Sequence, residues 1–230
     1  MIEITWLGHS GFQLRTQTGE TLLLDPWLAN PKFPKDFTLQ RADTVLLSHG
    51  HGDHSGSILD LDRQFSPTLV AIYELATYFG NQGVKKVIGM NKGGTAHVGS
   101  FKVSMTHAMH SSSIIQDDGT IIYAGEPAGF VITLPDGRRI YYAGDTTVFG
   151  DMRLIAELHH PDLAILPIGD LYTMGPKEAA FACNLLAVKR VIPMHWGTFP
   201  ALTGTPAALR DLLKDAVEVI PLEPGVPFSY

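Results

Sequence analysis

The chain has 230 residues, 45% of them hydrophobic and 17% charged, which is typical of a globular protein with a sizeable core. Its net charge of −6 argues against a general nucleic-acid surface, no apolar run approaches the ~18 residues of a membrane span, and no signal-peptide pattern opens the sequence. Cys183 is the one cysteine, so the chain forms no internal disulfide. From these features we expect a single domain over residues 1–230, in the cytoplasm and away from membranes.

Short β-branched segments at the start of the chain predict strands at IEITWLG, GFQLRT and TLLLD, with QTGE as a hairpin turn. The Pro-rich segment DPWLANPKFPKDF predicts a surface loop. DTVLLS then predicts a buried strand that leads directly into HGHGDH.

Strand and helix patterns alternate along the rest of the chain. Helices are predicted at GSILDLDRQF, YELATYFGNQ, DMRLIAELHH, GPKEAAFACNLLAVK and TPAALRDLLKDA, the last of which Thr205 can cap. Strands are predicted at TLVAI, KKVIGM, SFKVSMTHA, AGFVITL, RIYYAGD, DLAILPIG and RVIPMHW. We therefore expect mixed sheets with helices outside them.

Several predicted strands end at once in side chains that can bind metal. VLLS leads to His49, VSMTHAMH to His107 and His110, IYYAG to Asp145, and VIPM to His195. Strand ends are where a rigid scaffold can bring distant side chains together. The glycines of HGHGDH let that turn fold tightly around an ion. The pattern predicts a site for more than one metal ion.

Imidazole and carboxylate ligands without thiolate suit Zn(II), Mn(II), Fe or Ni(II), with Zn(II) favoured here. A pair of such ions can share a hydroxide formed near neutral pH and hold the oxygens of a substrate. A histidine-rich turn can also be a solvated loop. The position of HGHGDH directly after a buried strand favours the metal site.

The segment SHGHGDH matches the T/S-H-x-H-x-D-H signature of the metallo-β-lactamase superfamily. GHSGF, LLLDPW, HSSS, YYAGDT, LPIGDLYTMGPKEA and PMHWGTFP resemble the small metal-dependent hydrolases allied to L-ascorbate-6-phosphate lactonase. This resemblance covers nearly the whole chain. It implies an α/β (α+β) fold, an αββα four-layer sandwich of two mixed β-sheets flanked by helices, with the site at one edge.

The resemblance also implies a role for each metal-capable residue. The first metal would be bound by His49, His51 and His110, the second by Asp53, His54 and His195, and Asp145 would bridge them. Asp53 would also orient the hydroxide or hold the proton that the leaving group needs, so that Asp53 and Asp145 are the catalytic residues. His110 is preferred to His107 because HSSS follows it.

Five further residues are predicted to lie around the metals. Asp25 would accept a hydrogen bond from a ligating imidazole, His9 would lie near the site without binding metal, and Thr146 would support Asp145 by hydrogen bonding. Tyr172 and Met174 would line the pocket, where the helix that begins at Pro176 could favour an anionic substrate group.

The leading hypothesis is a metal-dependent hydrolase in which a hydroxide on two divalent metals attacks an ester, lactone, amide or phosphodiester of a small substrate, which could be anionic. The alternatives are an iron-dependent redox enzyme of the same superfamily and a metal-binding regulatory module without turnover. Nothing in the sequence predicts a nucleic-acid specialisation. The oligomeric state is left open, a homo-oligomer included.

Overall fold

The computed structural model describes residues 1–230, which form sixteen strands and six helices. The strands are β1 Ile2–Trp6, β2 Phe12–Thr16, β3 Thr21–Leu24, β4 Thr44–Leu46, β5 Thr68–Ile72, β6 Val87–Met90, β7 Thr95–Val98, β8 Phe101–His107, β9 Ser113–Ile115, β10 Ile121–Tyr123, β11 Ala128–Thr133, β12 Arg139–Tyr142, β13 Leu163–Pro167, β14 Arg190–Met194, β15 Glu218–Val219 and β16 Pro227–Ser229. The helices are α1 Gly52–Ser55, α2 Ile58–Phe65, α3 Tyr73–Asn81, α4 Met152–His159, α5 Pro176–Leu186 and α6 Pro206–Leu213.

The strands form two seven-stranded mixed sheets, in the orders β16-β1-β2-β3-β4-β5-β6 and β15-β14-β13-β12-β11-β8-β7, and a separate β9–β10 ribbon. In the first sheet, β1 and β2 pair in antiparallel fashion, as do β2 and β3, whereas β3 to β6 are parallel. In the second sheet, β8, β11 and β12 alternate in direction, and β12 to β15 are parallel. The C-terminal ends of β1, β3 and β4 therefore lie at the same end of the first sheet, and those of β8, β12 and β14 lie at the same end of the second.

Side chains of the second sheet alternate between two cores, as the period of a strand requires. Phe130 and Tyr142 belong to the core between the sheets, whereas their neighbours Val131 and Tyr141 pack on the other side with α4, α5 and α6. Helix α3 packs on β5 and β6 of the first sheet. Helices therefore flank both sheets, and the predicted αββα sandwich is confirmed.

The predicted helix cap is confirmed, and the one cysteine is buried. The hydroxyl of Thr205 accepts a hydrogen bond of 3.2 Å from the Ala208 amide and so caps α6. Cys183 of α5 is buried, and burial raises the pKa of its thiol to about 12, which is typical of a structural rather than a reactive cysteine. None of the six helices combines the length and the hydrophobicity that crossing a bilayer requires.

The sequence patterns do not predict β7, β9, β10, β15 or β16. Each has only two to four residues. Their side chains are mostly half-buried or exposed, so they lack the apolar runs that identified the central strands.

The stability of the fold should depend on the core between the sheets. Phe130 is fully buried opposite Met105 and Tyr142, and Phe130→Ala should lower the free energy of unfolding by roughly 3–5 kcal/mol through lost burial and an unfilled cavity. Chemical denaturation measures this change. Phe181→Ala is the control, because Phe181 is 57% exposed on α5, and an equal loss in both variants would contradict the assigned core.

Candidate metal centre

Four imidazoles converge on one buried carboxylate where the strand ends of the two sheets meet. Oδ2 of Asp145 lies 3.1 Å from Nε2 of His195 and 3.2 Å from Nε2 of His54. Nε2 of His110 and of His49 lie 3.8 Å and 4.0 Å from the same oxygen. These residues follow β4, β8, β12 and β14, so the structure brings together side chains that the sequence separates by up to 146 positions (49 to 195).

Two groups of nitrogen and oxygen atoms with metal-binding spacing lie around Asp145, and a third group, Asp25, His49 and His54, shares one histidine with each of them. One group contains His49, His51 and His110, and the other contains His9, Asp53, His54 and His195, with the potential ligand atoms of each group within 4.8 Å of one another. All seven side chains that the sequence predicts as ligands therefore lie in one cluster, and their division between two metal positions stays a prediction. His9 is the one addition to the second group.

The backbone around the cluster is held in uncommon conformations. His9, Asp25 and His195 have φ angles of 51°, 39° and 53°, in the left-handed region that side chains disfavour. Gly144, with φ of 60°, precedes Asp145, and a Cβ at this glycine would lie 2.7 Å from Cβ of Ser48. The requirement for glycine at this position follows from both the conformation and the close approach.

Asp25 holds His54 from outside the cluster, as predicted. Its Oδ2 accepts hydrogen bonds of 2.7 Å from Nδ1 of His54, 2.7 Å from the Tyr142 hydroxyl and 2.5 Å from the Ser48 hydroxyl. Its Oδ1 accepts one of 2.7 Å from the Ser48 amide. A proton fixed on Nδ1 leaves Nε2 of His54 with a free lone pair directed at the cluster.

The same aspartate fixes His49 through Ser48. Because the Ser48 hydroxyl donates to Asp25, it can only accept from Nδ1 of His49, which lies 2.9 Å away. Nε2 of His49 then carries a lone pair, and it faces Nδ1 of His51 at 3.0 Å. Asp25 therefore sets the ligand atom of one histidine in each group.

Burial and charge favour the metal-binding forms of most cluster residues. Burial lowers the pKa of His49, His51 and His110 and so favours the neutral imidazole. Burial opposes ionisation of Asp145, but His195 and His54 outweigh it and hold the pKa of this carboxyl well below its usual range. For His54 the carboxylates of Asp145 and Asp25 outweigh burial and raise its pKa, so a proton competes with a metal at this residue.

The orphaned polar atoms of the cluster fit a metal. Nε2 of His54 and Oδ1 of Asp145 are buried without a hydrogen-bond partner, which is costly unless another group satisfies them. Lone pairs brought within 4 Å of one another repel unless a proton or a cation lies between them. The donor set of imidazole and carboxylate suits Zn(II), Mn(II), Fe or Ni(II).

His9 has a more specific position than the sequence indicates. Its Nδ1 lies 2.9 Å from the Thr198 hydroxyl, and its Nε2 lies 3.1 Å from Oδ2 of Asp53. Burial, opposed by Asp53, lowers the pKa of His9 to about 4, so the ring is neutral. If Thr198 donates to Nδ1, Nε2–H donates to Asp53 and orients its carboxylate. His9 and Asp53 are 44 positions apart, so no local sequence pattern predicts their contact.

Two predictions about the surroundings of the cluster are wrong. The hydroxyl of Thr146 does not support Asp145: it donates to the Thr147 carbonyl and accepts from the Met109 amide, and so anchors the loop that carries His110. Met174 does not line a pocket, because it is 1% exposed and packs in the core beneath α5. Tyr172 is 58% exposed, and its place in a pocket stays a prediction.

The Asp25 network predicts a strong effect on metal affinity. Asp25→Asn keeps the shape and tolerates the left-handed backbone, but it replaces one acceptor oxygen with a donor amide. Metal affinity should fall roughly 10–100-fold, measured by competition with a chelating indicator. Asp43→Asn is the control, since Asp43 accepts a hydrogen bond from the Thr21 amide at the start of β3, at the end of the strand remote from the cluster. Equal affinity in both variants would contradict the role of Asp25.

The choice between His110 and His107 can be tested directly. His107 lies 3.0 Å from the Lys92 ammonium and is exposed, whereas His110 is in the first group. His110→Ala should lower the metal bound per chain, because it removes one of three imidazoles at that position, and His107→Ala should leave it unchanged. Elemental analysis of both purified variants decides the matter, and the reverse result would assign the ligand to His107.

The chain was compared with known families and structures. A family model described as a β-lactamase superfamily domain matches residues 20–196. A UPF0173 metal-dependent hydrolase of Solibacter usitatus is 54% identical over 100% of both chains. Another, from Rubrobacter xylanophilus, is 48% identical and covers 96% of this chain and 94% of its own.

A solved structure extends this similarity to three dimensions. Igni18, described as a novel metallo hydrolase from the hyperthermophilic archaeon Ignicoccus hospitalis, is 33% identical, with coverage of 100% of this chain and 99% of its own and a TM-score of 0.86. The closer likeness to L-ascorbate-6-phosphate lactonase stays a prediction. The chain belongs to the β-lactamase superfamily and, within it, to the UPF0173 metal-dependent hydrolases.

Proposed function

We propose that this protein hydrolyses a small substrate with the help of two divalent cations bound in the cluster around Asp145. The observation that carries the proposal is the convergence of four imidazole nitrogens on one buried carboxylate oxygen, at 3.1–4.0 Å. One cation would be held by His49, His51 and His110, and the other by Asp53, His54 and His195. Asp145 would bind both cations. The metal-dependent hydrolase names of the relatives support this assignment.

Two divalent cations at such a site supply a nucleophile near neutral pH and neutralise charge that develops on a substrate oxygen. The donor set favours Zn(II), with Mn(II), Fe and Ni(II) as the other candidates. Asp145 contributes charge at the centre of the cluster, where burial excludes water and makes electrostatic interactions strong.

Asp53 is the residue that we assign to proton transfer. His9 and His54 outweigh burial and lower the pKa of Asp53, so it is ionised at neutral pH and able to accept a proton. Its side chain is 31% exposed, whereas that of Asp145 is 3% exposed, so solvent and substrate reach Asp53 more readily. With His9 on Oδ2, Oδ1 is the atom free to accept a proton and return it to the leaving group.

An ester and a phosphodiester panel tests the function, with Asp145→Asn as the decisive variant. Loss of a residue that only hydrogen-bonds to a ligand lowers metal affinity or activity roughly 10–100-fold. Asp145→Asn should lower both metal affinity and turnover by more than this. Asp151→Asn, an exposed aspartate just before α4, should match the wild type. Thermal unfolding of both variants shows whether the fold is kept.

Three results would contradict the proposal. Full turnover by metal-free protein would remove the cations from the mechanism. Iron content with oxygen-dependent turnover would favour the redox alternative. A metal-loaded protein that is inert on the whole panel would favour a regulatory module.

A further inference from the structure

A cavity of about 630 Å³ opens beside the metal centre. Its floor is the segment of residues 50–56, including His51 and Asp53. One wall is the β9–β10 ribbon, which contributes Ile114, Ile115 and Asp117, and the other consists of α2 and α3, which contribute Leu59 and Tyr78. A molecule in this cavity would therefore touch two cluster residues at one end and hydrophobic side chains at the other.

The lining of the cavity contains no lysine or arginine. Its charged side chains are both carboxylates, Asp53 and Asp117. A phosphate or carboxylate group at the far end would lose its hydration without gaining a cation, and it would meet Asp117. An uncharged hydrophobic group has no strong hydration to lose, and its transfer from water into the cavity is favourable.

The ribbon gives a second, independent indication. Ile115 and Ile121 are cross-strand partners, and they are 68% and 71% exposed, with Tyr123 on the same face at 68%. Clustered exposed hydrophobic side chains mark binding surfaces. Through Ile115 this face continues directly into the cavity.

We propose that the cavity binds an uncharged, hydrophobic acyl group of the substrate and places its scissile carbonyl beside His51 and Asp53. The proposal rests on the hydrolase function above and narrows it. The substrates would be esters, lactones or amides with a neutral hydrophobic acyl portion, rather than compounds that carry a phosphate or carboxylate on that portion.

Three methyl esters with the same scissile bond test the proposal: methyl acetate, methyl hexanoate and monomethyl adipate. For the metal-loaded wild type, kcat/KM for hexanoate should exceed that for acetate by at least about tenfold, as buried methylenes contribute to specificity. The adipate ester, whose chain ends in a carboxylate, should fall at least about tenfold below hexanoate. Asp117→Lys should reduce the difference in kcat/KM between the hexanoate and adipate esters.

Leu59→Trp narrows the hydrophobic end of the cavity and should bring the hexanoate-to-acetate ratio of kcat/KM towards 1. Leu158→Trp is the matched control, because Leu158 is 73% exposed on α4, and it should keep the wild-type ratio. Acetate hydrolysis with no preference for hexanoate in the wild type would overturn the cavity proposal while the hydrolase function stands.

A binding experiment separates the two proposals. Hexan-1-ol is not hydrolysed, and it should shift the methyl NMR signals of Leu59 and Ile115 in the wild type, whereas in Leu59→Trp the Ile115 methyl signals should stay unshifted. These shifts without hydrolysis of any ester would support the cavity and contradict the hydrolase function. Light scattering that shows a dimer dissociated by Ile115→Lys would assign the ribbon to a second copy and overturn the proposal.

Discussion

The structure depends on how the buried carboxylate of Asp145 is stabilised. A carboxylate removed from water is costly unless charges or hydrogen bonds compensate it, and Oδ1 of Asp145 has no hydrogen-bond partner. Compensation comes from the four imidazoles around Oδ2, which follow the ends of three strands, β4, β8 and β14. The sandwich makes this possible because strands of two sheets end at the same place, so the rigid part of the fold determines the distances within the cluster.

The strain in the backbone has the same origin. Asp25 and His195 adopt the left-handed conformation directly after β3 and β14, and His9 adopts it three residues after the end of β1. In each case the chain turns sharply at the strand end and directs the side chain into the cluster or its support. Such conformations persist only where surrounding contacts determine them, and here the His9 carbonyl accepts hydrogen bonds from the Trp6 indole and the His195 amide.

The sequence predicts the cluster well because its side chains follow recognisable features of the chain. His49 and His195 come after hydrophobic runs that can only be buried strands, and HGHGDH is too dense in metal-binding side chains for an ordinary turn. The surroundings are less predictable. Thr146 and Met174 are beside predicted functional residues in sequence, but the direction of a side chain at a loop is set by tertiary packing. The β9–β10 ribbon has three residues per strand and exposed isoleucines, a pattern that local propensity does not identify.

The proposed cation site and the cavity beside it differ in electrostatic character. At the centre, two divalent cations would carry more charge than Asp53 and Asp145 offset, so a carbonyl oxygen would be drawn towards the cluster. In the cavity, the remaining charge is the carboxylate of Asp117, and the walls are largely hydrophobic. A substrate with a polar reacting end and a hydrophobic acyl end satisfies both regions in one orientation. Reversing that substrate would leave the cations without an oxygen and place its polar group against Asp117, so the arrangement favours one binding direction.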